Sequence, residues 1–337
     1  MKSLRKRNKI LIIIIAAILI IYSVIGNVIV SAALVPDFMR KLEAFERVTE
    51  QGYSEMVKTD DITENSEAAR EETKDFLENT EGFKIKAESA DGYELIAACF
   101  RQEEPENKPW VILLHGYTGW KEEMYHFAAR YFAEGFNVLC PDLRCQGESG
   151  GDFIGMGWTD REDVLIWISK ITDSYPDAEI VLHGESMGAS CAVMMTGMEL
   201  PENVKCVISD CAFTDSLSMF RKQLKDWFSI PDIGFISSAR LWLMIRGGYD
   251  LKDASALKEA AKSDIPILFI QGDQDRIVPV SAASDLCDAC SSEKDIMIVE
   301  GAGHAQSCYK DPGAYYDRVF EFIGKLNENT PTSKVEG

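Results

Sequence analysis

The stretch Ile180-Val181-Leu182-His183-Gly184-Glu185-Ser186-Met187-Gly188-Ala189-Ser190-Cys191-Ala192 decides the fold. Its first three residues are a short aliphatic run, the pattern of a strand buried on both faces. Its last four are small, which suits a helix packed closely on that strand. Between them, Gly184 to Gly188 has the spacing G-x-S-x-G, which sets a serine on a tight strand-to-helix turn. Glycines on either side leave room for backbone to approach where a side chain would not fit. The strand before and the helix after are the context this spacing requires, and they make Ser186 a candidate nucleophile.

A serine hydroxyl attacks at neutral pH only with a base beside it. His304 follows an expected strand in Glu300-Gly301-Ala302-Gly303-His304, where the glycines free the loop to turn inward. His115 ends another strand and suits an organiser of its loop. His183 reads as a satisfied structural group and His126 as a helix surface or packing residue. The orienting acid belongs between serine and histidine, in Gly272-Asp273-Gln274-Asp275-Arg276-Ile277-Val278-Pro279. Asp275 is the expected partner of His304, and Asp273 is expected to cap the loop through backbone N–H groups. Negative charge developing on a substrate oxygen needs donors. The backbone N–H of Met187 at the helix start and that of Tyr117 in His115-Gly116-Tyr117-Thr118-Gly119 are the candidates for this oxyanion hole.

Outward from this centre, short apolar runs at 110–114, 136–140, 179–183, 206–209, 267–270 and 295–299 alternate with helical patterns at 122–133, 159–172, from 186, from 281 and at 312–326. Such alternation predicts an α/β domain with a mostly parallel sheet covered by helices on both faces. Asp91-Gly92 between two further runs predicts a hairpin that adds antiparallel edge strands. One interval, about 213–262, is too long for a single crossover. Its Phe213, Leu217, Phe220, Leu224, Trp227, Phe228, Phe235, Leu241, Trp242 and Met244 recur at helical spacing. It reads as a small helical cap over the site, with extra helices packed on the body as the alternative.

The chain has 337 residues, with 35 Lys+Arg against 55 Asp+Glu, a net charge of −20. Lys2, Arg5, Lys6, Arg7 and Lys9 lie in the first nine positions, leaving 30 bases against 55 acids, a net of −25, in the rest. That balance excludes a nucleic-acid binder, which needs a basic surface to neutralise phosphates. No charge occurs from 10 to 35, long enough to cross a bilayer. With the bases inside, residues 1–35 form a tail and single-pass anchor that leaves the body extracytoplasmic. The alternative is a secreted protein cleaved near Val30-Ser31-Ala32. Residues 36–80 read as one or two helices, 81–330 as the catalytic body and 331–337 as a tail. The nine cysteines are odd in number, and Cys287-x-x-Cys290 lacks a second pair at zinc spacing. No metal or organic cofactor is expected.

The chain resembles the α/β-hydrolase superfamily over about residues 83–326. The family segments HG-x-x-G, D-x-R-x-x-G-x-S, G-x-S-x-G, G-x-x-D-x-x-V/I-P and G-x-x-H stand here at 115–119, 142–149, 184–188, 272–279 and 301–304. The resemblance is nearest to bacterial membrane-anchored hydrolases of the esterase and serine-aminopeptidase-like group, which share HGESMG and an Arg-Gly-Gly-Tyr segment, here 246–249. It implies the α/β-hydrolase fold, a central sheet of about eight strands and a small cap. It implies Ser186 as nucleophile, Asp275 as orienter, His304 as base, and Tyr117 and Met187 as oxyanion donors. The implied activity is cleavage of a carboxylic ester with a small or medium apolar acyl or aryl group. An aminopeptidase-like amidase or thioesterase, and a non-catalytic membrane-tethered binding protein, are the alternatives. The expected partners are a small-molecule ester and, through the N-terminal segment, membrane lipid.

Overall fold

The computed structural model describes residues 2–41, 56–226 and 234–329. Eight strands form one sheet: β1 (Gly82–Glu88), β2 (Glu94–Phe100), β3 (Trp110–Leu114), β4 (Asn137–Pro141), β5 (Ile180–Glu185), β6 (Val204–Asp210), β7 (Ile267–Gly272) and β8 (Lys294–Val299). Their order across the sheet is β1-β2-β4-β3-β5-β6-β7-β8. From β4 through β8 neighbours run parallel, while β1 pairs β2 and β2 pairs β4 antiparallel. This is the mostly parallel α/β sheet that the alternating pattern predicts. One expectation is corrected: of the two hairpin strands, only β1 lies at the sheet edge. β2 is interior, and its all-apolar run from Leu95 to Phe100, buried throughout, shows why it needs neighbours on both sides.

The described helices are α1 (Lys2–Leu34), α2 (Pro36–Lys41), α3 (Asp60–Asn79), α4 (Tyr125–Ala133), α5 (Asp160–Ser174), α6 (Met187–Met195), α7 (Ser216–Asp226), α8 (Phe235–Gly247), α9 (Ala256–Ala260), α10 (Ser281–Ala289), α11 (Ser307–Lys310) and α12 (Pro312–Asn329). The helical pattern expected at 122–133 starts with a 3₁₀ turn, Lys121–Met124, before α4. Strand residues alternate between two cores. Ile112 and Leu114 belong to the core that α5, α6 and α10 share, together with Trp167 and Leu286. Val111 and Leu113 belong to the other core, on the side of α3, α4 and α12, together with Phe76, Tyr131 and Val319. All nine cysteines are free thiols.

The chain leaves β3 for β4 on one side and returns to β5 on the other, so the strand order reverses at β3. Such a reversal opens a crevice beyond the C-terminal ends of the strands, where parallel sheets bind ligands. The loops after β3 and β5 both leave there. Between β6 and β7 lie α7, α8 and α9. Trp227, Phe228 and Asp232 of that interval, Leu42, Phe45 and Val48 of the 36–80 segment, and the tail 331–337 lie outside the described residues.

Candidate active site

Ser186 stands between β5 and α6 with φ 54° and ψ −112°, a conformation that side chains with a Cβ rarely adopt. The glycines of the turn explain how the chain tolerates it. A Cβ on Gly188 would overlap the Leu114 carbonyl oxygen and sit 2.7 Å from that of His115, and one on Gly184 would overlap the backbone of Gly188. β5 and α6 can therefore close on β3 only where these positions lack side chains. The strain at Ser186 is held by the Ser186 N–H donating to the Asp210 carbonyl at 2.8 Å and the Ser190 N–H donating to the Ser186 carbonyl at 2.9 Å.

Ser186, Asp275 and His304 come together, although they lie on three separate loops. His304 Nε2 is 2.9 Å from Ser186 Oγ, and His304 Nδ1 is 2.7 Å from Asp275 Oδ2. With the carboxylate accepting the Nδ1 proton, Nε2 is left as acceptor for the serine hydroxyl. Asp275 is fixed by three further donors: the Ile277 and Val278 N–H groups reach Oδ1 at 2.8 and 2.9 Å, and Gln271 Nε2 reaches Oδ2 at 2.7 Å. Asp273 takes another part. It accepts the Gly301 N–H at 2.7 Å, tying the acid loop to the histidine loop rather than capping its own turn.

Tyr117 lies in the loop after β3, where a Cβ on the adjacent Gly116 would be 3.6 Å from Ser186 Cβ. Its backbone N–H has no hydrogen-bond partner among the described residues. Met187 is the first residue of α6, where backbone N–H groups lack intrahelical acceptors. Both expected oxyanion donors thus flank the serine. His115 shapes this loop from below, donating Nδ1–H to the Gly116 carbonyl at 2.8 Å and accepting the Leu143 N–H on Nε2 at 2.9 Å. Burial lowers its pKa to about 4, which keeps it neutral.

Beneath the elbow lies a network that the sequence did not announce. Tyr131 OH bonds His183 Nδ1 at 3.0 Å, His183 Nε2 bonds Tyr315 OH at 3.2 Å, and Tyr315 OH donates to Asp210 Oδ2 at 2.9 Å. His183, buried and pushed down to about 3, is the satisfied structural group it was expected to be. Desolvation raises Asp210 to about 7. The segment 142–149 is likewise a scaffold. Asp142 accepts from the Lys121 N–H at 2.7 Å, Lys121 Nζ at 2.8 Å and the Glu148 N–H at 2.9 Å, and Arg144 grips Asp163 with two bonds of 2.7 Å. His126 packs in α4 with Nδ1 on the Glu123 carbonyl. Gln271 is the residue near the relay that sequence reasoning missed, because a glutamine inside a fully buried strand carries no spacing signal.

Cys211, Asp275 and His304 bring potential ligand atoms within 4.8 Å of one another. Asp275 and His304 already bond each other, and burial keeps the Cys211 thiol protonated, which makes it a poor metal ligand.

A family model described as the alpha/beta hydrolase fold matches residues 109–235. The uncharacterized protein YqkD of Bacillus subtilis is 28% identical over 243 residues, covering 72% of this chain and 79% of its own length. A thermostable monoacylglycerol lipase of Bacillus sp. H-257 is 23% identical over 248 residues, covering 65% of this chain and 92% of its own. Among solved structures, the Pyrococcus furiosus esterase PF2001 superposes with a TM-score of 0.61 at 22% identity, over 75% of this chain and 93% of that one. With its strand order, its serine on a strained turn after β5 and its acid and histidine after β7 and β8, the chain has the α/β-hydrolase fold.

Proposed function

We propose that the chain is a serine hydrolase that cleaves carboxylic esters of small or medium apolar acyl or aryl groups through an acyl-enzyme. The observation that carries this reading is the continuous relay Ser186–His304–Asp275, with bonds of 2.9 and 2.7 Å, on a nucleophile turn flanked by two backbone donors. His304 takes the proton from Ser186 Oγ as the oxygen attacks the ester carbonyl. The Tyr117 and Met187 N–H groups hold the oxyanion, and the relay holds the imidazolium through Asp275. His304 then gives the proton to the departing alcohol. In the second half it takes a proton from water, whose oxygen attacks the acyl carbonyl, and returns that proton to Ser186 Oγ as the acid departs.

An ester is favoured over a substrate with a free amine by the state of two acids, Asp215 and Asp226, in the 213–262 interval. Asp215 Oδ1 accepts the Ser218 N–H at 2.8 Å, capping α7, and Asp226 pairs with Lys222 at 3.0 Å. Neither offers a carboxylate to an amine, while Phe213, Leu217, Leu224, Ile236 and Leu243 of the same interval are buried apolar groups. The helix Arg7–Leu34 is long and apolar enough to cross a membrane, and we read it as a retained anchor with the body on the extracytoplasmic side. Its last turns are packed into the body, with Val30 and Leu34 buried and the Ile154 N–H on the Leu34 carbonyl at 2.9 Å. Cleavage near Val30-Ser31-Ala32 would remove part of the core.

The test is hydrolysis of p-nitrophenyl esters from acetate to dodecanoate by the full chain in detergent, beside Ser186→Ala. The expected result is turnover that peaks at one chain length and falls by about 10⁴-fold or more in Ser186→Ala. Equal rates in both proteins, or none in either, would overturn the reading.

A further inference from the structure

The N-terminal helix and α8 are packed side by side and parallel. Tyr22 OH donates to the Gly234 carbonyl, Ser238 Oγ donates to the Tyr22 carbonyl at 3.0 Å, and Trp242 Nε1 donates to Ser23 Oγ at 3.1 Å. One turn further on, Arg246 Nη1 reaches Asn27 Oδ1 at 2.6 Å and Ser31 Oγ at 2.7 Å. A Cβ on Gly26 would overlap Ser238 Oγ and lie 2.6 Å from the Ser238 backbone, so the two backbones touch there. Small residues at such a crossing are what close helix packing in lipid requires.

The length of the anchor gives this contact a consequence. Crossing the hydrocarbon takes about 20 apolar residues, or about 30 Å at 1.5 Å per residue. The run of outward-facing apolar residues from Ile10 to Ile21 supplies 12, about 18 Å. Completing the span takes the chain to about Ile29, through the very residues on which α8 packs. If Lys9 marks the inner boundary, α8 is held at the depth of the outer leaflet.

The free face of α8 has the chemistry for that depth. Leu241, Met244 and Ile245 are 52%, 42% and 64% exposed and fall on one stripe at spacings of three and four residues. Val24 and Val28 of the anchor are exposed as well, at 54% and 43%. Neither arginine of α8 leaves its charge on this stripe: Arg240 is paired with Asp250, and Arg246, in the last turn, is held by Asn27 and Ser31 of the anchor. On its inner face α8 contributes Ile236, Ala239 and Leu243 to one continuous core with Val30 and Leu34 of the anchor and Met187 of the elbow. Tyr117 OH donates to the Ala33 carbonyl, so the oxyanion loop is tied to the anchor's last turn.

We propose that α8 is a second membrane-contact element, seated with the anchor in the outer leaflet, and that the site takes acyl esters resident in the bilayer. The occupant of the Leu241–Met244–Ile245 face is lipid. The substrate half of this proposal rests on the serine-esterase reading, whereas the seating of α8 stands without it.

The two are separated by using the full chain reconstituted in dioleoylphosphatidylcholine vesicles. In Ile245→Trp, replacing the lipid by its brominated form is expected to quench the added fluorescence. Leu241→Glu combined with Ile245→Glu is expected to lower hydrolysis of monolauroylglycerol carried in the vesicles at least about tenfold, with p-nitrophenyl acetate hydrolysis kept within about twofold. Absence of added quenching in Ile245→Trp overturns the seating of α8. A double variant with the wild-type rate on the vesicle ester, or with both rates lowered alike, overturns supply of substrate from the bilayer. A chain that hydrolyses neither ester yet shows the quenching removes the esterase reading and leaves the membrane contact standing.

Discussion

Two aspartates two residues apart, Asp273 and Asp275, divide the work of the acid loop. Both bond the histidine loop, but only Asp275 meets the imidazole, and Asp273 meets a backbone N–H. Replacing Asp275 by asparagine keeps the shape yet puts an amide where His304 Nδ1 needs an acceptor, favouring the wrong tautomer. Asp275→Asn should therefore lower kcat/KM by about 10³ to 10⁴-fold on p-nitrophenyl esters. Asp273→Asn retains an oxygen for the Gly301 N–H and should stay within about tenfold of wild type. Comparable losses in the two variants would contradict this division. That Ser186, His304 and Asp275 would come together was legible because the segments that carry them are written in local spacing. Gln271, four residues from Asp275, and the Tyr315–Asp210 bond, spanning 105 positions, were not. Their roles depend on which side chains the sheet brings together, and no single segment carries that.

At the scale of elements, glycine positions in the elbow record how closely β5 and α6 approach β3. Gly188→Ala would press a methyl into the Leu114 and His115 carbonyls, which are backbone atoms of a buried strand and its loop and cannot rotate away. The expected cost is about 3 kcal/mol or more, read as a lower urea midpoint, with any folded fraction losing the Ser186 geometry. An unchanged midpoint would mean that α6 can shift on the sheet. The strands and helices of the body were legible because each is a compact apolar or amphipathic run bounded by turns. The place of β2 inside the sheet was not, since a hairpin signal fixes the pairing of two strands and leaves open which of them finds a further neighbour. The N-terminal helix was equally half legible. Its apolarity announced a helix long enough to cross a membrane, yet the contact with α8 depends on Gly26, Ser23 and Tyr22, which look unremarkable within an apolar run.

For the whole molecule, opposing buried groups set the dependence of stability on pH. Desolvation raises both Asp160 and Asp210 from an ordinary carboxyl value to about 7. Each has one oxygen with no hydrogen-bond partner among the described residues, as suits a protonated acid better than a carboxylate. A raised acid contributes stability that is complete below about pH 4 and lost as pH climbs to about 7. Burial lowers His115 and His183 to about 4 and 3, so their contribution has the opposite sense: complete above about pH 6.5, it is lost as pH falls through that region. The surface carboxylates Asp61 and Glu148, held down to about 2 by Lys310 and Lys121, have given their full effect by pH 5 and add no slope above it. Between pH 5 and 7 the acids and histidines therefore oppose each other. Asp210→Asn removes one of the two acids and leaves the histidines. The melting temperature of this variant relative to wild type should increase from pH 5 to pH 7.5 by on the order of 2 to 5 °C. Thermal unfolding of the two proteins at both pH values measures it directly. A constant difference would mean that Asp210 keeps its charge in the folded chain, with Tyr315 OH sufficient to hold a buried carboxylate beneath the elbow.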